Sequence, residues 1–370
     1  MHLPKPAAGN GLTTQAEELE KCLGLNQQTR DNYLRYKEYK KGKVLNFLPI
    51  RMDIETVSAC NFRCKMCTVS DWKNGKRAGF IDMEKLDKII ENQYGLTEAK
   101  LTGLGEPMLH GDEYFELIKK LRKKHIWVRM VTNASLLHID NKSKKLAESG
   151  VNDITISIDG ATKETFEKIR RQSKFGDVIE NCRELNERLA KNNNYISKAW
   201  CCVQGDNINE LEKIVEVASN AKFPELTFSL NLHGWGREDL LEENQKKTID
   251  NKSAIDIERV ERLIKLGTKN DIRISFWDVA DKFDASKEST VCPWPFERIY
   301  LTSDLRLVPC CMIGDPDTFE LTPKDFVEDR DFEKAWNSNE YQNFRRQHLL
   351  GEIPEVCRNC YNCSTMEQTH

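Results

Sequence analysis

Residues 60 to 67 read CNFRCKMC, which sets Cys60, Cys64 and Cys67 at spacings of four and three directly after Met52 to Val57, a run with the composition of a strand. Thirteen cysteines scattered over 370 positions would give such a triplet by chance with a probability on the order of one per cent. The spacing therefore marks a ligand set. Zinc is the simpler occupant, but a structural zinc site takes four tetrahedral ligands, and no fourth cysteine or histidine lies near this loop in sequence. Three thiolates on one short loop suit an iron-sulfur cubane whose fourth iron stays open to bind and polarise a ligand.

Around this loop, from about Met52 to Asp278, short apolar or β-branched runs alternate with stretches of helical period. Strands are expected at Met52 to Val57, Lys100 to Thr102, Trp127 to Thr132, Asp153 to Ile158, Lys198 to Val203, Leu226 to Leu232 and Ile272 to Trp277. Helices are expected at Met83 to Gln93, Tyr114 to Lys124, Lys142 to Ser149, Val178 to Lys191, Glu210 to Asn220 and Ile257 to Lys269. That alternation is the signature of repeated βα units on a parallel sheet, an α/β fold.

The flanks differ in composition. Residues 1–45 are polar, with one expected helix between Thr14 and Lys40 carrying Cys22, and read as a helical extension on the surface. Beyond Asp278 cysteine, proline and tryptophan crowd together; Arg298 to Val308 reads as a hairpin turning at Ser303 and Asp304, and Tyr341 to Leu350 as a helix. The expected division is thus an extension over 1–45, a βα domain over 46–285 and a small cysteine-rich domain over 286–370. The small domain holds Cys292, Cys310, Cys311, Cys357, Cys360 and Cys363. Four thiolates from a hairpin and a CxxC loop can close an iron-sulfur cluster completely, or a zinc site.

The 56 basic and 59 acidic side chains leave a net charge of -3 with no basic stripe, so nucleic acid is not an expected partner. No stretch approaches the apolar length of a membrane span or a signal peptide, and the expected location is cytoplasmic. In that setting cysteines in this number point to metal or redox chemistry, not to disulfides.

On the CxxxCxxC loop after the first strand, the sequence resembles the radical S-adenosylmethionine (SAM) superfamily, whose barrel is a partial (β/α)6 TIM-like one. The resemblance implies a catalytic 4Fe-4S cluster on Cys60, Cys64 and Cys67, with SAM bound to it. Phe62 and Met66 are then expected beside the cofactor; Met66 stands where the family often has an aromatic residue near the adenine. Gly103, Leu104, Gly105, Glu106 and Pro107 look like the family's GGEP element, which engages the methionine amino group, with Leu104 between the two glycines. Glycine is expected there because backbone must approach the ligand closely. Asn133, Ser157 and Asp159 lie at the ends of the third and fourth expected strands and carry over as cofactor contacts, and Arg170 or Arg171 as a partner for the methionine carboxylate.

The C-terminal layout resembles the SPASM and twitch modules that hold auxiliary 4Fe-4S clusters, with one cluster on Cys292, Cys310, Cys357 and Cys360; Cys311 and Cys363 are spares. Its spacing is similar to that of the twitch-bearing dehydrogenase acting on 2-deoxy-scyllo-inosamine. The resemblance implies an oxidoreductase: a 5'-deoxyadenosyl radical takes hydrogen from a small polar molecule such as a sugar or aminocyclitol alcohol, and the auxiliary cluster takes the remaining electron. An electron donor such as flavodoxin or ferredoxin is the implied protein partner. His233, Asp278 and Arg170 are candidates for the base, and Asn231 and Trp235 for further substrate contacts. Two alternatives stay open: a peptide-modifying maturase, and an epimerase in which Cys201 or Cys202 returns a hydrogen atom.

Overall fold

The computed structural model describes residues 3–71, 77, 79–248, 255–278, 282–324, 326 and 331–361. Its strands are β1 (Arg51–Ile54), β2 (Arg63–Cys64), β3 (Glu98–Leu101), β4 (Trp127–Thr132), β5 (Asp153–Ser157), β6 (Arg170–Arg171), β7 (Ser197–Cys202), β8 (Glu225–Ser229), β9 (Arg273–Trp277), β10 (Arg298–Leu301) and β11 (Leu307–Val308). Nine of them form one sheet in the order β11-β10-β1-β3-β4-β5-β7-β8-β9, parallel throughout except for β11. The fold is α/β, a partial barrel left open between β9 and β11. Each expected strand is present, with ends shifted by up to three residues.

Period-two alternation positions everything that follows. Met52, Ile54, Ala99, Leu101, Val128, Met130, Ile154, Ile156, Ala199, Cys201, Leu226, Phe228, Ile274 and Phe276 point to one face and pack with the helices in the main core. Their neighbours point the other way, into the concave face. Its floor is a belt of alternating charge: Glu98 lies 3.3 Å from Arg51 and 3.6 Å from Arg129, Lys198 is 2.8 Å from Asp153, and Arg273 is 3.5 Å from Glu225. Such pairs satisfy buried charge more than they add stability.

Two expectations change. The stretch Thr14 to Lys40 is two helices, Gln15–Leu25 and Gln27–Glu38, because Asn26 turns extended and caps the second through Gln28 N at 2.7 Å. Nor is this region a surface addition. Cys22 is buried in the main core, Phe276 N on the edge strand β9 donates to Pro4 O at 2.7 Å, and Lys198 Nζ donates to Ala7 O at 2.7 Å. The N-terminal segment thus covers the charged floor. The boundary expected at residue 286 also falls inside one sheet, since β10 runs parallel to β1 with Arg298 opposite Arg51. The hairpin forms as expected, turning over Thr302 to Arg306, where Thr302 N donates to Arg306 O at 2.9 Å. The C-terminal helix is Asn339–Leu350, capped by Ser338 and ended by Gly351 at φ 75°. Among the described residues no helix is long and apolar enough to cross a membrane.

Candidate active site

The cysteine loop lies at the C-terminal ends of the strands. The two-residue ladder β2–β6 sets Cys64 opposite Arg170 and Arg63 opposite Arg171, which fixes the loop against the segment after β5. Arg63 Nη1 donates to Cys60 O at 2.6 Å, and Ser70 Oγ to Cys64 O at 2.5 Å. A second clamp comes from the segment after β8: Asn244 Nδ2 donates to Met66 O at 3.1 Å and to His233 O at 2.7 Å, Arg237 Nη1 donates to Thr68 Oγ1 at 3.2 Å, and Lys247 Nζ to Lys65 O at 3.4 Å. Asn244 is fully buried. No sequence pattern announces it, because its partners are main-chain carbonyls, one of them 178 residues earlier.

The sulfurs collect donors. Phe62 N lies 3.4 Å from Cys60 Sγ, Asn133 Nδ2 4.0 Å from the same sulfur and Arg170 Nη1 3.8 Å from Cys64 Sγ. Burial pushes the Cys60 and Cys67 thiols up to about 12, and the three cysteines act on one another electrostatically. Among the described residues no three Cys, His, Asp or Glu side chains converge at the spacing of a single metal ion.

Several expected cofactor contacts have other employment. The Phe62 side chain is buried in the main core, so only its N–H faces the site. Glu106 accepts from Thr132 Oγ1 at 2.6 Å, Asn133 N at 2.7 Å and Met108 N at 3.0 Å, tying the end of β3 to the end of β4. A Cβ on Gly103 would collide with the Glu55 side chain, and one on Gly105 with the carbonyls of Val57 and Ala59. The glycines therefore serve close packing between two loops of the chain itself. Asp159, fully buried, lies 2.7 Å from Arg170 Nη2 and accepts from Cys202 N at 2.7 Å. That pair takes Arg170 away from the roles of base and carboxylate partner, and Arg171 Nε is held by Arg63 O at 2.7 Å. Ser157 is partly accessible on the concave face at the end of β5, and Met66 is buried in a small cluster with Ile169 and Leu232.

The second cysteine group gathers at the β10–β11 edge. Cys310 is acted on by Cys311, Cys357, Cys292 and Cys360. Burial pushes Cys292 up to about 12, and Tyr361 Oη accepts from its N–H at 2.8 Å. Cys311 acts on both Cys310 and Cys360; burial raises its own thiol, and of the surrounding charges that of Lys100 opposes this most. Cys363 lies outside the described residues. The two groups are joined by Arg77, whose Nη2 is 2.8 Å from Glu55 Oε1 and 3.4 Å from Asp304 Oδ1, and whose Nη1 is 3.5 Å from Gly314 O. Ser303 Oγ also donates to Glu55 Oε1, at 2.9 Å. Leu104, the residue between the two glycines, packs against Gly314.

The profile of the radical SAM superfamily matches residues 54–218, and that of the SPASM iron-sulfur cluster-binding domain residues 292–361. The chain carries a radical SAM domain followed by a SPASM domain. Its cofactors are accordingly SAM and a 4Fe-4S cluster, with further iron-sulfur binding in the SPASM domain. The chain is 31% identical over 109 residues to a tungsten-containing aldehyde ferredoxin oxidoreductase cofactor-modifying protein of Pyrococcus furiosus, covering 29% of this chain and 30% of that one. It is 31% identical over 140 residues to a GTP 3',8-cyclase of Aliarcobacter butzleri, covering 36% and 42%. It therefore spans less than half the length of these relatives. The structure of SuiB from Streptococcus suis, bound to precursor peptide SuiA, superposes over 86% of this chain and 71% of that one with a TM-score of 0.63 at 14% identity, a likeness of fold.

The residues present fit these groups. In the radical SAM domain three thiols stand on one loop, and N–H groups of Phe62, Asn133 and Arg170 toward the sulfurs of Cys60 and Cys64 oppose part of the burial that raises them. In the SPASM domain Cys292, Cys311, Cys357 and Cys360 all act electrostatically on Cys310. Of the candidates for a base, Asp278 is exposed, while burial holds His233 near 4 and so neutral at pH 7. Alternation separates the paired cysteines: Cys201 faces the helices in the main core, whereas Cys202 faces the concave side and packs by Met66.

Proposed function

We propose that Cys60, Cys64 and Cys67 hold the catalytic cluster, that Cys292, Cys310, Cys357 and Cys360 hold an auxiliary one, and that the enzyme oxidises a small polar molecule, a sugar or aminocyclitol-type alcohol. The observation that carries this reading is the character of the concave face between the two cysteine groups. It presents Lys100, Thr155, Ser157, Trp200 and Trp277, all partly accessible, within a sheet whose other residues are mostly buried. Hydroxyls and a cation suit hydroxylated ligands, and the Trp200 and Trp277 rings, 6.2 Å apart, give flat surfaces for a saturated ring.

When bound, the two groups supply a radical that takes a hydrogen atom from carbon and an acceptor for the electron left behind. The chain supplies position and a proton acceptor. His233, uncharged and next to Trp235 at 6.3 Å between ring centroids, accepts the hydroxyl proton at a ring nitrogen, so that the alcohol becomes a carbonyl. Arg170 and Asp159 hold the cysteine loop against β7 and stay out of the proton transfer. A ferredoxin or flavodoxin would deliver the reducing electron.

The reading is tested with reconstituted enzyme, SAM and dithionite, to which either the ultrafiltered metabolites or the peptide fraction of the source cells is added. The metabolites should raise 5'-deoxyadenosine formation above the rate without additions. Stimulation by the peptide fraction alone would overturn the small-molecule reading.

A further inference from the structure

The strands place six cations on the concave face: Arg51, Lys100, Arg129, Lys198, Arg273 and Arg298. Five are neutralised by neighbouring carboxylates. Arg51 lies 2.9 Å from Glu297, Arg129 3.6 Å from Glu98, Lys198 2.8 Å from Asp153, Arg273 3.5 Å from Glu225 and Arg298 3.0 Å from Asp53. Lys100 differs. Among the described residues its ammonium has no hydrogen bond and no ion pair.

Its surroundings show why it stays unpaired. In register Lys100 lies between Asp53 on β1 and Arg129 on β4, but Asp53 Oδ1 is bound to Arg298 while its buried Oδ2 makes no hydrogen bond to Lys100, and Arg129 is held by the glutamate of the floor. Lys100 stands two residues beyond Glu98 on β3, one pleat above the floor, and Thr102 and Gly103 lead from it to the loop that faces the first cysteine group. On the other side is Cys311 of the SPASM domain. The lysine is partly accessible, as are Thr155 and Trp200 on the same face. A partly buried ammonium that forms no ion pair attracts an anion from solution more strongly than a fully exposed lysine does.

We infer that Lys100 binds an oxyanion of the substrate, a phosphate or a carboxylate, and thereby fixes the substrate between the two cysteine groups. This rests on the reading above that the substrate is a small polar molecule, and narrows it to a phosphorylated or acidic sugar or cyclitol. The sugar or aminocyclitol alcohol implied by the resemblance alone lacks the group that Lys100 requires.

The test uses the enzyme with its clusters and SAM, without dithionite, and measures binding of glucose, glucose 6-phosphate and gluconate by equilibrium dialysis. One or both anions should bind about tenfold tighter than glucose, and which of them does so separates phosphate from carboxylate. Lys100→Met should erase the difference and Lys100→Arg keep it. Equal binding of all three, or an anion preference that survives in Lys100→Met, overturns the inference. Because binding is read without turnover, that failure is distinct from failure of the radical reading, which shows as absence of 5'-deoxyadenosine from the native enzyme.

Discussion

Changing Cys60, Cys64 and Cys67 together to Ala should remove about four irons per chain from the reconstituted protein and lower SAM cleavage by more than about a thousandfold. The loss is expected to be this complete because no other thiol can take over. Cys202 faces the same space by Met66, but its main chain is fixed in β7 and its N–H is held by Asp159 at 2.7 Å. The variant should still fold. The loop is held by the β2–β6 ladder, by Ser70 on the Cys64 carbonyl and by Asn244 on the Met66 carbonyl, none of which uses a cysteine side chain. A circular dichroism spectrum like that of the native protein would confirm this. Undiminished iron in the triple variant would show that this loop is not the cluster site.

Arg77→Met should lower stability by about 3–5 kcal/mol, read as a fall in the denaturant midpoint. Arg77 and Glu55 have side chains 3% and 0% exposed, so the substitution strands the Glu55 carboxylate without its cation. Ser303 Oγ, at 2.9 Å, and Tyr300 Oη, at 3.4 Å, are then its remaining side-chain donors. Arg77→Met combined with Glu55→Gln should recover much of the loss, because the cost of a broken buried pair is mostly that of the charge left behind. The pair also ties the end of β1 to the C-terminal segments: Glu55 directly follows β1, and Asp304 and Gly314 belong to the segments that flank Cys310. If Arg77→Met alone leaves the midpoint unchanged, the pair does not hold these loops together.

What could be read in the sequence were features that are local. Strand alternation fixed which residues line the concave face, so Cys201 and Cys202 differ in side by a single step along β7. The cysteine spacings likewise picked out the two thiol groups. Contacts that close over long separations left no trace: Arg77 meets Asp304 across 227 residues and Asn244 meets Met66 across 178. The N-terminal segment is hard to place from sequence for a related reason. Its polar composition suits the surface, yet it covers the floor mainly through main-chain carbonyls and a few buried side chains, which composition does not reveal. Glu106 and Asp159 follow β3 and β5, and because their partners lie on neighbouring strands or on β6, their use as internal ties does not show in the sequence.

The central claim is that the loop of Cys60, Cys64 and Cys67 carries a SAM-binding cluster separate from that of the SPASM domain. Its most direct test is the electron paramagnetic resonance spectrum of the dithionite-reduced native protein before and after SAM is added. Two 4Fe-4S signals are expected, one of which shifts with SAM and is missing from the triple alanine variant, while the other is unmoved. Signals indifferent to SAM, or a protein that takes up zinc in place of iron, would contradict the account.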